Sequence, residues 1–237
     1  MSGDVIGPDS GPGPDAPGGV RLFLDSADGA AHARWLATGL FHGITTNPTI
    51  LRRAGVPCET SAIRDLARAA LDLGAREVQA QAWGGTMDAY RETGEAIAAM
   101  DRRMVVKLPA TEPGFAAARH LIAVGARVTI TAAYAPHHAL AAAAIGASYV
   151  APYHGRMGDA GIDAAAAVRA MTRAGEATGG AMRVLVASIR SAAEVSALLA
   201  LGCDTLTFGV NVAEEMVTEP HTLAATEAFE AHARPCG

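Results

Sequence analysis

Eighteen arginines and a single lysine make up the basic side chains of this sequence. A composition rich in Ala, Gly and Arg accounts for the missing lysines, but not for the one retained at position 107. Arginine stays protonated and cannot form an imine, whereas a desolvated lysine can shed its proton and attack a carbonyl. Lys107 sits in the run MVVKLPA, among Val105, Val106, Leu108 and Pro109. Strand alternation puts Lys107 and Val105 on one face, and Val106 and Leu108 on the other. Apolar residues on both faces fit a parallel strand covered on either side. The structural alternative for the amine is an ion pair with Asp25, and one site can contain both.

Other reactive groups fall at the ends of similar apolar runs. Asp25 closes the first run, and Thr45, Thr46 and Asn47 close the second. Gln81 follows in the third, Lys107 in the fourth and Thr131 in the fifth. Tyr153, with Arg156 just beyond, ends the sixth, and Ser188, with Arg190, ends the seventh. Burying so many polar groups costs free energy unless each is paired or used. Any one of them is readily structural, but seven successive runs ending this way predict a binding site. Two guanidiniums and a hydroxyl, from Arg156, Arg190 and Ser188, suit a phosphate monoester. His137, His138 and His154 raise a metal site as a rival. The first two are adjacent on a predicted helix and are expected to point apart. No His-Glu or Cys cluster supports them, so no metal is expected.

The elements that must position these groups can be read from periodicity. Candidate strands cover 21–27, 43–48, 77–82, 104–110, 127–133, 148–154, 183–189 and 205–210. Between them, 28–40, 59–73, 85–100, 114–124, 135–145, 162–177 and 191–201 carry apolar residues at helical spacing. Gly39, Gly74, Gly125, Gly146 and Gly202 follow as stop signals. Strict strand-helix alternation predicts a parallel sheet, and eight units predict a single closed (β/α)8 TIM barrel over 21–237, of the α/β class. A doubly wound open sheet ranks second, because no Gly-x-Gly-x-x-Gly follows the first strand. Residues 211–234 read as a C-terminal helical extension broken near Pro220 and His221.

Composition narrows the partners. A chain of 237 residues, half of them apolar, can bury a large core. A net charge of −5 argues against nucleic acid or an anionic membrane as the main partner. Cys58, Cys203 and Cys236 fit no disulfide framework or metal motif and suggest a reducing, cytoplasmic setting. Residues 1–20, rich in Gly, Pro and Asp, read as a disordered tail rather than a signal peptide.

The segments LFLDSAD, GITTNPTIL, VVKLPAT, APYHGRMGD and VLVASIRS, in this order, resemble the transaldolase family and within it the short branch that includes fructose-6-phosphate aldolase. The resemblance covers about residues 21–234. It implies a (β/α)8 barrel, no metal and no organic cofactor, and a Schiff base on Lys107. It implies Asp25 as acid/base, Thr45 and Asn47 as holders of substrate hydroxyls, and Thr131 as holder of a catalytic water. It also implies a phosphate grip by Arg156, Ser188 and Arg190. Gln81 and Tyr153 resemble the aldolase branch, where typical transaldolases carry Glu and Phe. Arg190 resembles the transferase side, since the aldolase branch tends to have Lys there. A homo-oligomer is implied too, as a pentamer or decamer ring in which C-terminal helices reach across subunits.

The expected activity is aldol cleavage of a ketose phosphate to an aldehyde and a three-carbon unit. Tyr153, Thr131 and Asp25 are expected to move protons while Gln81 orients water. A transaldolase passing that unit to an aldose phosphate, even to build an unusual higher sugar phosphate, is the near alternative. A phosphosugar-binding or isomerising barrel without covalent chemistry is the distant one.

Overall fold

A computed structural model describes residues 19–234. The elements run β1 (Arg21–Asp25), α1 (Gly29–Leu36), β2 (Gly43–Thr45), α2 (Pro48–Arg53), α3 (Thr60–Asp72), β3 (Glu77–Gln81) and α4 (Met87–Ala98). They continue with β4 (Met104–Pro109), α5 (Glu112–Ala123), β5 (Arg127–Ala133), α6 (Pro136–Ala144), β6 (Tyr149–Pro152) and α7 (His154–Asp159). The last are α8 (Ala164–Glu176), β7 (Arg183–Ile189), α9 (Ala192–Ala200), β8 (Thr205–Phe208), α10 (Val210–Val217) and α11 (Pro220–Ala233). The strands are parallel and close in sequence order, β1 pairing with both β2 and β8. This is the expected TIM barrel with a C-terminal helical extension. The tail expected over 1–20 lies outside the described residues except for Gly19 and Val20.

Local sequence explains most boundaries. Asp28, Thr86, Thr111, Asp163 and Ser191 cap the helices that follow the strands, each accepting from a backbone N–H of the first turn. Such a cap contributes about 1 kcal/mol. The five stop glycines all take positive φ, between 71° and 97°. Two short helices, α2 and α7, each begin at the last residue of a run read as strand and occupy segments that the sequence reading assigned to no element. Asn47 accepts from the Thr49 and Ile50 amides, and Pro48 takes the first helical turn, so β2 ends early and α2 begins. At the sixth strand α7 starts at His154, within the run read as strand to 154.

The core has two layers. Leu24, Ile44, Val78, Val106, Leu108 and Ile130 join the layer between sheet and helices. Phe23, Val105, Tyr149, Ala151 and Leu185 pack inside the barrel. Below them a buried network closes the N-terminal end. Arg127 donates to Glu77 at 2.5 Å, Tyr149 donates to Glu77 at 3.0 Å, and Arg21 donates to Tyr149 at 2.6 Å. Gln79 donates to Glu77 at 2.8 Å and accepts from Thr129 at 2.8 Å. Gly43 pairs with Glu77 across β2 and β3, and a Cβ there would collide with the Glu77 carbonyl oxygen. Polar groups at that end are thus committed to one another, which leaves the opposite end for chemistry.

Candidate active site

A cavity of about 310 Å³ opens at the C-terminal ends of the strands, where barrel enzymes place their chemistry. Asp25, Lys107, Tyr153 and Ser188 line it from the strand ends. Asn47, Thr49, Ile50 and Arg53 come from α2 and its cap, Arg156 from α7, Arg190 from the end of β7, and Gly209 with Asn211 from the end of β8.

Lys107 is only 2% exposed, yet it faces this cavity. It shares the barrel interior with Val105, as alternation requires. Its amine has no hydrogen-bond or ion-pair partner among the described residues, so the Asp25 pair considered from sequence is a longer-range attraction rather than a contact. Burial pushes the Asp25 carboxyl above the ordinary aspartate range, while Lys107, the Thr45 hydroxyl, Arg156 and Arg53 pull it back.

Thr45 was expected to meet substrate. It is fully buried and does not line the cavity. Its hydroxyl donates to Asp25 at 2.6 Å and lies 2.6 Å from the Thr207 oxygen. A hydroxyl has one proton to give, so Thr207 is the donor in the second bond. The pair holds the Asp25 carboxylate from behind. Asn47 does line the cavity, but its side-chain oxygen caps α2, leaving the amide N–H groups for a ligand.

Thr131 donates to the Tyr153 oxygen at 3.1 Å. Gln81 sits beside Lys107 in the β3–β4 register, half-buried, and does not line the cavity. The Arg156 guanidinium stacks 5.0 Å from the centre of the Tyr153 ring. Arg190 reaches back to Asp159 on α7 in a two-pronged pair through Nη1 and Nη2. That pair holds Asp159 below the usual carboxylate range. Gly155 makes room for it, because a Cβ there would lie 2.8 Å from Arg190 Nε.

Backbone irregularities fall at the site. β5 and β7 each shift register near their ends, between Ile130 and Ala133 and between Val186 and Ile189. Ala132 (φ 55°) and Ser188 (φ 62°) take the left-handed conformation at those shifts. Alternation from Leu185 would turn Ser188 toward the helices, and the bulge brings it to the cavity instead.

The sequence reading missed four groups here: Thr49 and Arg53 on the unexpected α2, Thr207 behind Asp25, and Asn211 beyond β8. The Asn47-Pro48 cap signal was the clue to α2. The histidines are scattered. His137 and His138 do not point apart as expected, their rings meeting edge-on at 4.6 Å, and His154 lies 3.7 Å from Glu194. Among the described residues no cluster of three or more His, Cys, Asp or Glu is placed to hold a metal ion, and no helix is long and apolar enough to cross a membrane.

Known proteins resemble this chain in sequence and in fold. The family described as Transaldolase/Fructose-6-phosphate aldolase matches over residues 22–235. A protein named "Probable transaldolase" from Caulobacter vibrioides is 30% identical over 210 residues, covering 89% of this chain and 94% of that protein. A namesake from Kosmotoga olearia is 31% identical over the same shares. Among solved structures, a monomeric dihydrodipicolinate synthase variant superposes with a TM-score of 0.60 at 15% identity, covering 83% of this chain and 71% of that chain. A putative phosphonomutase from Burkholderia cenocepacia does so with a TM-score of 0.58 at 17% identity, covering 89% and 94%. At such identities the likeness is one of fold alone.

Proposed function

Because the chain belongs to the transaldolase/fructose-6-phosphate aldolase family, we propose that it is a Schiff-base aldol enzyme that moves a dihydroxyacetone unit on sugar phosphates, with Lys107 as nucleophile. The observation that carries the reading is the chain's one lysine, buried, without a hydrogen-bond or ion-pair partner among the described residues, and facing a cavity that a half-buried aspartate also lines.

Lys107 Nζ attacks the C2 carbonyl of a ketose phosphate, and water leaves to give an iminium. A base takes the C4 hydroxyl proton, the C3–C4 bond breaks, and its electrons flow into the iminium. The aldehyde that departs keeps the phosphate, and an enamine of three carbons stays on Lys107. Protonation at C3 and hydrolysis release dihydroxyacetone, whereas attack on a second aldehyde makes a new ketose phosphate. Asp25, held by Thr45, and the Tyr153–Thr131 pair serve the proton transfers, with Gln81 orienting water. Arg156, Ser188 and Arg190 grip the phosphate, and Asn47 holds a hydroxyl of the three-carbon unit. The lysine itself supplies the electron sink, so the reading calls for no metal and no organic cofactor.

Borohydride reduction in the presence of fructose 6-phosphate, followed by mass spectrometry, tests the nucleophile. The expected product is an adduct on Lys107, and its absence would end the mechanism. Cleavage to free dihydroxyacetone is the favoured outcome, on Gln81 and Tyr153. The transferase reading is favoured by Arg190, and product analysis with and without an aldose phosphate acceptor separates the two. A Lys107→Arg variant with full turnover would instead favour a non-covalent phosphosugar isomerase. The reading extends to a cytoplasmic homo-oligomer, a pentamer or decamer ring, without nucleic acid or membrane as partner.

A further inference from the structure

Arg156 and Arg190 reach the cavity from different elements, and a side chain outside the cavity ties those elements together. Arg156 belongs to α7, a helix of six residues, whereas Arg190 follows β7. A phosphate gripped by both guanidiniums needs them in one place, so α7 and the end of β7 must hold a fixed relation.

Three contacts set that relation. Tyr153, just before α7, bridges to Ala187 of β7 in parallel register. Gly155 lies against the chain at Ser188, where a Cβ would collide with the Ser188 carbonyl oxygen. Asp159, the last residue of α7, takes the Arg190 guanidinium end-on, Oδ1 accepting from Nη1 at 2.8 Å and Oδ2 from Nη2. The Arg190 backbone is held as well, its N–H donating to Glu194 Oε2 at 2.9 Å. The first two contacts join backbone to backbone, and only Asp159 acts on a cationic group. Asp159 itself does not line the cavity. Every arginine carries N–H donors on Nε and on both Nη atoms. The pair with Asp159 uses one on each Nη, and the guanidinium makes no other hydrogen bond among the described residues. Nε–H and the second N–H of each Nη thus remain for an anion, on a side chain already fixed in direction. A side chain ordered in advance loses less rotamer freedom when its ligand arrives.

We infer that Asp159 is a positioning residue for the phosphate grip: through Arg190 it locks α7 to the end of β7, so that both guanidiniums meet one phosphate without reordering. This deepens the proposed function and rests on it for the identity of the ligand. Two other roles for Asp159 give different results. Each side chain of the pair is more than half exposed, and exposed ion pairs commonly contribute little. A pair of that kind leaves binding unchanged when it is broken. A carboxylate that competed with the phosphate for Arg190 would weaken binding, and its removal would tighten it.

Glucitol 6-phosphate tests the role without the covalent step, because it lacks the carbonyl that an imine needs. Calorimetric titration compares the parent protein, Asp159→Asn, Arg190→Gln and the double variant. Asp159→Asn is expected to bind roughly threefold to tenfold more weakly, the factor that ordering one arginine side chain on binding costs. Asp159→Glu, which keeps the charge and both oxygens, is expected to lose less. Arg190→Gln is expected to weaken binding further than Asp159→Asn does. Adding Asp159→Asn to it is expected to change nothing more, because the aspartate acts through the arginine. Affinity that is unchanged or raised in Asp159→Asn, or an added loss in the double variant, would overturn the positioning role. Full affinity in Arg190→Gln would instead remove Arg190 from the grip in the proposed function, and the inference with it. Borohydride trapping on Lys107 is read separately, so a failed Schiff base and a failed positioning role give different results.

Discussion

The Thr131 hydroxyl and the Tyr153 phenol meet at 3.1 Å, joining the end of β5 to the residue that follows β6, beside the left-handed Ala132. Tyr153 also packs edge-on against Tyr134 at 5.9 Å and beneath Arg156. Phenylalanine preserves both ring contacts and removes only the oxygen. Tyr153→Phe is expected to slow release of free dihydroxyacetone by about tenfold to a hundredfold, and transfer to an acceptor by less. Product analysis by chromatography reads both rates, and an equal loss would count against a proton-relay role.

Asp25 makes a pH prediction whose sign follows from its burial. The folded protein holds this carboxyl above its ordinary value of 3.8, so it binds its proton more tightly than the unfolded chain does. The stability it contributes is fully present below 3.8 and is lost as pH rises through the higher folded value. Asp25→Asn removes that loss. Its melting temperature relative to the parent is expected to improve as pH rises above about 4, while turnover falls by about a hundredfold to ten-thousandfold. A difference in melting temperature that does not change with pH would contradict this.

Ser188 combines backbone strain with a place in the proposed phosphate grip. At φ 62° a side chain costs roughly 1–2 kcal/mol over glycine. Ser188→Gly is therefore expected to raise unfolding stability by roughly 1 kcal/mol, while the lost hydroxyl weakens the phosphate grip and raises KM. Urea titration and steady-state kinetics measure the two effects. A variant that is both less stable and fully active would refute the assignment.

The buried network at the other end is structural. Glu77 accepts from Arg127, Tyr149 and Gln79, and burial, with the Glu77 charge second, pushes the Tyr149 phenol up to about 12. Glu77→Gln leaves a guanidinium facing a neutral partner and is expected to cost about 3–5 kcal/mol. Denaturant midpoints check this, and a change under 1 kcal/mol, about the value of one ordinary hydrogen bond, would show the network to be dispensable.

The helix α11 buries none of its residues, and Leu223 and Phe229 stay exposed. A helix of 14 residues is marginal alone in water, so a second copy is its expected partner. A chain ending at Val217 is expected to sediment as a smaller species while its barrel melts cooperatively. A full-length chain that sediments as a monomer would end this prediction.

The sequence by itself determined the barrel and the place of Lys107 in it. Eight apolar runs, the seven helical stretches between them and five stop glycines are local signals, and eight strands in strict alternation with helices leave closure as the natural topology. The face of Lys107 followed from alternation alone, because β4 is regular. What only the tertiary structure decided lies where the chain departs from regularity. Ser188 reaches the cavity through a bulge that breaks alternation. Thr45 has the sequence context of a ligand residue, but its hydroxyl is committed to Asp25 and to Thr207, 162 positions away. Arg53 lines the cavity only because barrel closure brings α2 to its rim. Each depends on contacts between residues distant in sequence, and a local pattern carries no record of those.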